Sequence, residues 1–390
     1  MPHDFDRMID RSGTDALKWS VRRQFTGVPD VLPMWVADMD FETAPAVRRA
    51  VLERAEHGIF GYPVRPDSYN RAVVGWMKRR FGWEIRKGWI AFTPGVVPAV
   101  HFAVQAFSHP GDKVVLQPPV YHPFKRAVEN NGRRCLLNPL KIENGRYIMD
   151  LEGLEQAVDG RTRMLILCSP HNPVGRVWTR EELEGLADIC LRNQILIISD
   201  EIHADLVLKG HRHTPTATLS PEIADITVTC TSPNKTFNIA GLGMANNVIS
   251  NRFLRDRFQN AVSAAGIGLA NLFGIAATEA AYNGGEAWLE DLLEYLESNF
   301  EFLKNRMGER LPGIKVFPLE GTFLAWLDFR EFDLNDKQLK DLLLKKGKIW
   351  LDEGPKFGVG GEGFQRINIA CPRTVLEDGI ERIAKALADL

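Results

Sequence analysis

No stretch of the sequence approaches the ~20 consecutive apolar residues that a membrane-spanning helix requires. The first twenty residues, MPHDFDRMIDRSGTDALKWS, are polar and charged and hold no apolar core of a secretory signal. Cysteine is scarce. Cys135, Cys168, Cys190, Cys230 and Cys371 are dispersed, with no C-x-x-C pair. An odd, scattered set argues against a disulfide framework and for reduced thiols in a cytosol. Charge of either sign is nearly balanced, with a formal net charge of −2. Such a balance offers no field for nucleic acid or an anionic membrane. The short basic run Lys78-Arg79-Arg80 reads as a solvated helix face. Internal repeats and low-complexity tracts are also missing. The expectation is a soluble, cytoplasmic protein with neither nucleic acid nor membrane as partner.

What is present is ordinary globular composition, 45% hydrophobic and 25% charged, over 390 residues. That length predicts two to three domains, or one large domain with a satellite. Residues 45–57 have helical periodicity, with Pro45 suited to a first turn. Residues 68–81 and 96–107 read as further helices, and 113–117 as a short buried strand. Asn144-Gly145 marks a hairpin turn. Three apolar runs follow, Met164–Cys168, Ile195–Ser199 and Ile226–Cys230. They fit strands of a largely parallel sheet buried on both faces. The intervening Thr179–Arg192 is helical, with Thr179 and Glu182 forming a capping box. This pattern predicts an α/β fold, a large domain with a mostly parallel central sheet. The division drawn is 45–285 for that domain, with 1–44 and 286–390 forming a smaller α+β unit. The latter contains a long amphipathic helix over 286–307, strand-like 315–318, 322–327 and 365–370, and helices near 336–346 and 375–388.

In an open α/β sheet, ligands bind outside the carboxyl ends of the strands. Just past the three strands stand Ser169-Pro170-His171-Asn172-Pro173, Asp200-Glu201-Ile202-His203 and Thr231-Ser232-Pro233-Asn234-Lys235. The chemically loaded residues therefore gather where a ligand should sit. A lysine buried among small and apolar neighbours loses basicity and becomes a usable nucleophile and base, which singles out Lys235. A carboxylate at a strand end, Asp200, can pair with a protonated pyridine nitrogen and keep such a ring able to accept electrons. Two motifs are decoys. Gly358-Val359-Gly360-Gly361-Glu362-Gly363 satisfies G-x-G-x-x-G but leads into a strand, whereas a dinucleotide fingerprint opens a helix. His211-x-His213 has metal-ligand spacing, but after Lys209-Gly210 it reads as a surface loop, and no metal is expected.

The segments TPGVVPAV, PPVYHPF, CSPHNPVGRVW, ISDEIHADL, SPNKTFNIAGL and FQRINIACPR, in this order, resemble the fold-type I pyridoxal-phosphate enzymes of the class I/II aminotransferase group. The resemblance covers nearly the whole chain and implies the aspartate aminotransferase-like fold with pyridoxal 5'-phosphate as cofactor. It implies that Lys235 forms the Schiff base with the cofactor and shuttles protons. Asp200 would bind the pyridine nitrogen and Tyr121 would stack on the ring. Asn172 would reach the phenolic oxygen, and His203 stands where aminotransferases usually carry a Tyr. The phosphate would lie at Gly95-Val96-Val97, where a turn opens a helix, an arrangement that favours anions. Ser232 would add a hydroxyl, and Tyr62 would reach the phosphate from the other subunit of a homodimer with shared active sites. Arg366 would bind the α-carboxylate of an amino-acid substrate.

One departure narrows this. Many aminotransferases place an Arg eight residues after the lysine, and here that position is Gly243. Together with PMWVADMDF, the DEIH variant and GPKFGVGGEGFQRINIACPR, it resembles the MalY/PatB-type branch of cystathionine β-lyases and cysteine-S-conjugate β-lyases. The resemblance implies a carbon–sulfur β-lyase releasing pyruvate, ammonia and a thiol. The alternative is an amino-acid aminotransferase, and a third reading is a regulatory or binding protein reusing the fold. Trp19, Met34, Trp35 and Trp350 hint at an apolar wall beside the substrate.

Overall fold

The computed structural model describes residues 3–388. Its centre is a seven-stranded sheet made of β1 (Ile90–Thr93), β2 (Lys113–Leu116), β3 (Arg134–Leu137), β4 (Thr162–Cys168), β5 (Leu196–Asp200), β6 (Thr227–Thr231) and β7 (Ala245–Val248). Their order across the sheet is β1-β7-β6-β5-β4-β2-β3. All neighbours are parallel except β7, which runs antiparallel to both β1 and β6. The period-2 alternation of a strand divides the core. Met164, Ile166, Ile198 and Val228 point to the face covered by helix α2 (Val96–Phe107), after helix α1 (Pro45–Glu56) in the chain. Leu165, Leu167 and Ile197 point to the opposite face, covered by helix α3 (Arg180–Arg192). Burial on both faces is why these strands read as unbroken apolar runs.

Local signals hold where they are strongest. Thr179 accepts from the Glu182 N–H at 3.2 Å while the Glu182 carboxylate accepts from the Thr179 N–H at 2.8 Å. Asn144 and Gly145, at φ +51° and +77°, turn the hairpin that pairs Lys141–Glu143 with Arg146–Ile148. Boundaries move more. The third-quarter strands extend one residue beyond expectation, to Asp200 and Thr231. Just past β6, Lys235 lies on the short helix α4 (Pro233–Thr236), capped by Ser232. Lys78 is solvated as expected, but Arg79 and Arg80 are not merely so. Arg79 donates to the Tyr282 carbonyl at 2.6 Å, and Arg80 pairs with Glu290.

Helix α5 (Glu286–Arg310) buries Leu289, Leu292, Leu296, Phe300, Leu303 and Met307 along one stripe. Its apolar face is thus spent on the core of its own chain rather than on a partner helix. Beyond it, β8 (Lys315–Val316), β9 (Leu324–Asp328), β10 (Asp352–Glu353) and β11 (Phe364–Asn368) form an antiparallel sheet in the order β8-β9-β11-β10. The expected 336–346 helix is α-helical only over Asp336–Asp341 and widens into a π-type turn over Leu342–Gly347. Helix α6 (Arg373–Leu387) completes the described chain. The N-terminal Leu32–Pro33 pairs in parallel with Ile349–Trp350, which carries residues 34–41 toward the ends of β5 and β6. No helix among the described residues is long and apolar enough to cross a membrane.

Candidate active site

The carboxyl ends of β4, β5 and β6 open into a cavity of about 220 Å³. Lys235, Asp200, Asn172, His203, Tyr121 and the Gly95–Val97 turn all line it. Topology explains the convergence. Asp200 is the last residue of β5 and lies in register between Cys168 of β4 and Cys230 of β6. Its carboxylate is buried and accepts one backbone bond, from the Ile202 N–H at 3.1 Å. Burial pushes its pKa up to about 7, with Glu201 adding to the rise, while the Ile202 N–H and Lys235 oppose it.

Lys235 is the opposite case. Burial brings its amine down to about 8, Asp38 and Asp200 pulling upward and Arg366 downward. Its Nζ donates to the Ala37 carbonyl at 2.5 Å. That carbonyl belongs to a strap, residues 34–41, pinned from two sides. Asn368 Nδ2 donates to the Val36 and Asp38 carbonyls at 2.8 and 2.7 Å. Asn238 accepts from the Met39 N–H and donates to the Met39 and Phe41 carbonyls, all within 3.0 Å.

Arg366 is buried and held by three acceptors. Nη1 donates to Asn172 Oδ1 at 2.8 Å, and Nη2 donates to the Trp35 carbonyl at 2.6 Å and to Asp352 Oδ2 at 2.7 Å. Burial raises the Tyr121 hydroxyl to about 12, so it stays protonated. Burial, with Lys235 and Arg366 nearby, keeps His203 neutral, far below the usual histidine range. Its Nδ1 has no hydrogen-bond partner, and neither does Asn234 Oδ1. The Val96 and Val97 N–H groups open α2 and, as first-turn amides, have no intrahelical acceptor. A weakly basic amine, a carboxylate awaiting a cationic donor and free amides thus line one enclosure, and the Arg366 guanidinium is tied to it through Asn172.

The profile of the aminotransferase class I and II family matches residues 29–383. The chain belongs to this family. It is 47% identical over 386 residues to the cystathionine beta-lyase PatB of Bacillus subtilis (strain 168), covering 99% of this chain and 100% of that protein. It is also similar to the crystal structure of cystalysin from Treponema denticola, which contains a pyridoxal 5'-phosphate cofactor. There the TM-score is 0.97 at 39% identity, with all of both chains covered. The PLP-bound C-S lyase of Staphylococcus hominis matches with a TM-score of 0.92 at 34% identity, over 99% of this chain and 98% of that one.

Within this aminotransferase-family site, two expected residues stand apart. Ser232 does not line the cavity. Its hydroxyl donates to the Met244 carbonyl at 2.6 Å and accepts from the Asn234 N–H at 3.1 Å, so its bonds go to the cap of α4. Tyr62 is 96% exposed and lies outside the cavity of its own chain. Gly243 has a local reason. It sits at φ +58°, and a Cβ there would be 3.3 Å from the Pro94 carbonyl, so a side chain would be strained beside the α2 turn.

One expectation is corrected. His213 is buried, not on a surface loop, and pairs through Nε2 with Glu201 Oε2 at 3.0 Å. Glu201 also accepts from the Ser199 hydroxyl at 2.8 Å and the Thr216 N–H at 2.9 Å, so a buried carboxylate drew the histidine inward. His211 is exposed, as expected. The G-x-G-x-x-G match forms a loop with Gly358, Gly360 and Gly363 all at positive φ, leading into β11. Trp35 and Trp350 do stack, 4.4 Å between ring centroids. Ala37, Asn368 and Asp352 are functional neighbours that sequence reasoning did not single out. For Asp352, the only sequence signal is its nearness to GPKFG in the segment resembling the β-lyase branch.

Proposed function

We propose that this chain is a pyridoxal 5'-phosphate-dependent carbon–sulfur β-lyase acting on cystathionine or related cysteine S-conjugates. The observation that carries the reading is the single cavity shared by the weakly basic Lys235 and the buried Asp200. The name of the B. subtilis relative, at 47% identity, adds the reaction class.

The residues present fit the cofactor. Asp200 is a buried carboxylate with one backbone donor, so the N–H of a pyridinium would complete its bonding. The α2 amides suit a phosphate. Asn172 offers its amide nitrogen to a phenolic oxygen while its Oδ1 stays on Arg366. Tyr121 would cover one ring face. When bound, this group supplies a carbonyl carbon that links to an amine and a ring that takes up an electron pair from Cα.

The protein's own residues do the rest. Arg366 and Asn172 would hold the substrate carboxylate and so fix the orientation of the Cα–H bond. Lys235 Nζ, with a pKa of about 8, would take that proton. The electron pair left on Cα then breaks the Cβ–S bond, the thiolate departs, and water converts the three-carbon remainder to pyruvate and ammonia. On this reading residues 45–285 are the cofactor-binding domain, completed by 1–44 and 286–390. Ile59, Phe60, Tyr62 and Val64 form an exposed apolar stretch, which supports a homodimer in which Tyr62 reaches the phosphate of the partner subunit's site. The absence of disulfides among the described residues agrees with a cytoplasmic setting.

Incubating the purified holoenzyme with L-cystathionine tests the reading. Pyruvate and free thiol should form with no oxo acid added. Turnover that requires an oxo acid would instead establish the aminotransferase alternative. Lys235→Ala should abolish the borohydride-reducible link, and persistence of that link would refute the lysine assignment.

A further inference from the structure

We propose that Asp352 is the positioning residue of the carboxylate-binding arginine, aiming Arg366 and taking up part of its charge. The inference rests on the reading of Arg366 given above and adds a second residue to it.

The geometry starts from the small sheet. Asp352 and Arg366 are directly opposite each other in the antiparallel β10–β11 pair. Side chains of such a pair share one face. Both are only 3% exposed, and Oδ2 meets Nη2 at 2.7 Å. The other oxygen, Oδ1, is 3.3 Å from Lys356 Nζ. Asp352 is therefore tied at both oxygens and cannot swing away while Arg366 stays in place.

A guanidinium has five N–H donors in a rigid plane. Here three are taken, by Asn172, Trp35 and Asp352. Two of those acceptors are neutral and one is charged. Nε is buried and unpaired. The neutral pair fixes position only weakly, since neither opposes the buried charge. Asp352 supplies both the anchor and the counter-charge. An anchored arginine meets the substrate carboxylate in a ready orientation. A partly neutralised one lets the product carboxylate leave.

These two roles separate by substitution. The measurement is calorimetric binding of 3-(methylsulfanyl)propanoate to the holoenzyme. This probe has the carboxylate and thioether of a substrate but no amine, so it cannot react at the cofactor. Asp352→Ala removes anchor and charge together, and Arg366 is free to turn toward water. Its Kd should rise about tenfold or more. Asp352→Asn keeps an oxygen acceptor for Nη2 and removes only the charge. Its Kd should fall several-fold below that of the wild type, because the arginine stays aimed and is no longer neutralised.

A pair that merely held the fold together would not produce these opposite shifts. Asp352→Ala binding as tightly as the wild type, or Asp352→Asn binding no more tightly, would overturn the proposal. If the alanine variant does not fold, the asparagine variant decides alone. Arg366→Met is the control. If it still binds the probe, or if the wild type does not, Arg366 has been misread and this inference fails with it. If Arg366→Met abolishes binding but the Asp352 variants do not diverge, only the role of Asp352 is refuted.

Discussion

Replacing Lys235 with methionine should stabilise the apoprotein while destroying its chemistry. The Lys235 amine is partly buried where it lines the cavity, and burial lowers its pKa from the ordinary 10.5 to about 8. At about 1.4 kcal/mol for each tenfold, that gap corresponds to roughly 3 kcal/mol of folded-state destabilisation when the amine is charged. Methionine preserves most of the aliphatic volume and carries no charge. It forfeits the 2.5 Å bond to the Ala37 carbonyl, which returns about 1 kcal/mol of the gain. The net expectation at pH 7 is therefore about 2 kcal/mol in favour of Lys235→Met.

The pH dependence has a definite sign. Below about pH 8 the lysine is protonated in both folded and unfolded chains, and the full penalty is present. Between there and the unfolded value the unfolded chain binds more protons, so wild-type stability rises with pH. The advantage of the methionine variant should shrink across that interval. Urea denaturation of cofactor-free wild type and variant, at pH 7 and pH 10, measures this directly. A variant no more stable than the wild type at pH 7, or an advantage that does not decline by pH 10, would refute the account of a strained, charge-bearing site.

Asp200→Asn should lower kcat by about a hundredfold or more, since the counter-charge to a ring nitrogen is lost. Because burial raises the Asp200 carboxyl to about 7, the same change should stabilise the apoprotein above that pH. Glu320 accepts from Arg176 Nε at 2.9 Å, Arg146 Nε at 2.7 Å and the Val177 N–H at 2.9 Å. Glu320→Ala removes one of the two carboxylates that Arg176 pairs with, Glu182 staying on Nη2 at 2.7 Å, and should cost about 1–3 kcal/mol by urea denaturation. Burial alone would raise the Glu320 carboxyl, yet Arg146, Arg176 and Val177 together hold it below the usual range. Its contribution is therefore present at neutral pH and lost on acidification through that lowered value, and the gap between wild type and variant should close there. A Cβ on Gly354 would lie 1.9 Å from the Gly361 carbonyl oxygen. Gly354→Ala should displace the loop that follows Asp352, costing about 1–3 kcal/mol and raising KM for the amino-acid substrate.

The central sheet was legible because its strands are buried on both faces, so apolar runs ending in polar residues mark both the strands and their functional ends. Asp200, Asn172 and Lys235 follow such runs directly. The strap was not legible. Ala37 acts through its main-chain carbonyl, which no side chain advertises. Nor was Asp352, whose pairing depends on the antiparallel register of β10 with β11 rather than on any spacing along the chain. His213 was misplaced because exposure was inferred from neighbours. The tertiary partner that buries it, Glu201, lies 12 residues earlier. Ser232 has the right residue type and neighbourhood, but capping a single helical turn claims its hydroxyl first.

The grip of the 34–41 strap also bears on when the site can come into being. Trp35 and Arg366 are 331 positions apart in the chain, and Val36 and Asn368 are 332 apart, yet each pair shares a hydrogen bond across the site. Contacts of such separation form late, because the closure entropy of nearly the whole chain must be met before they give anything back. A growing chain can build β4, β5 and β6, and even seat Lys235 on α4, while residues 34–41 still lack Asn368, one of the two asparagines that fix them. Competence to bind a carboxylate therefore waits until β11 has been made and closes against residues synthesised 331 positions earlier.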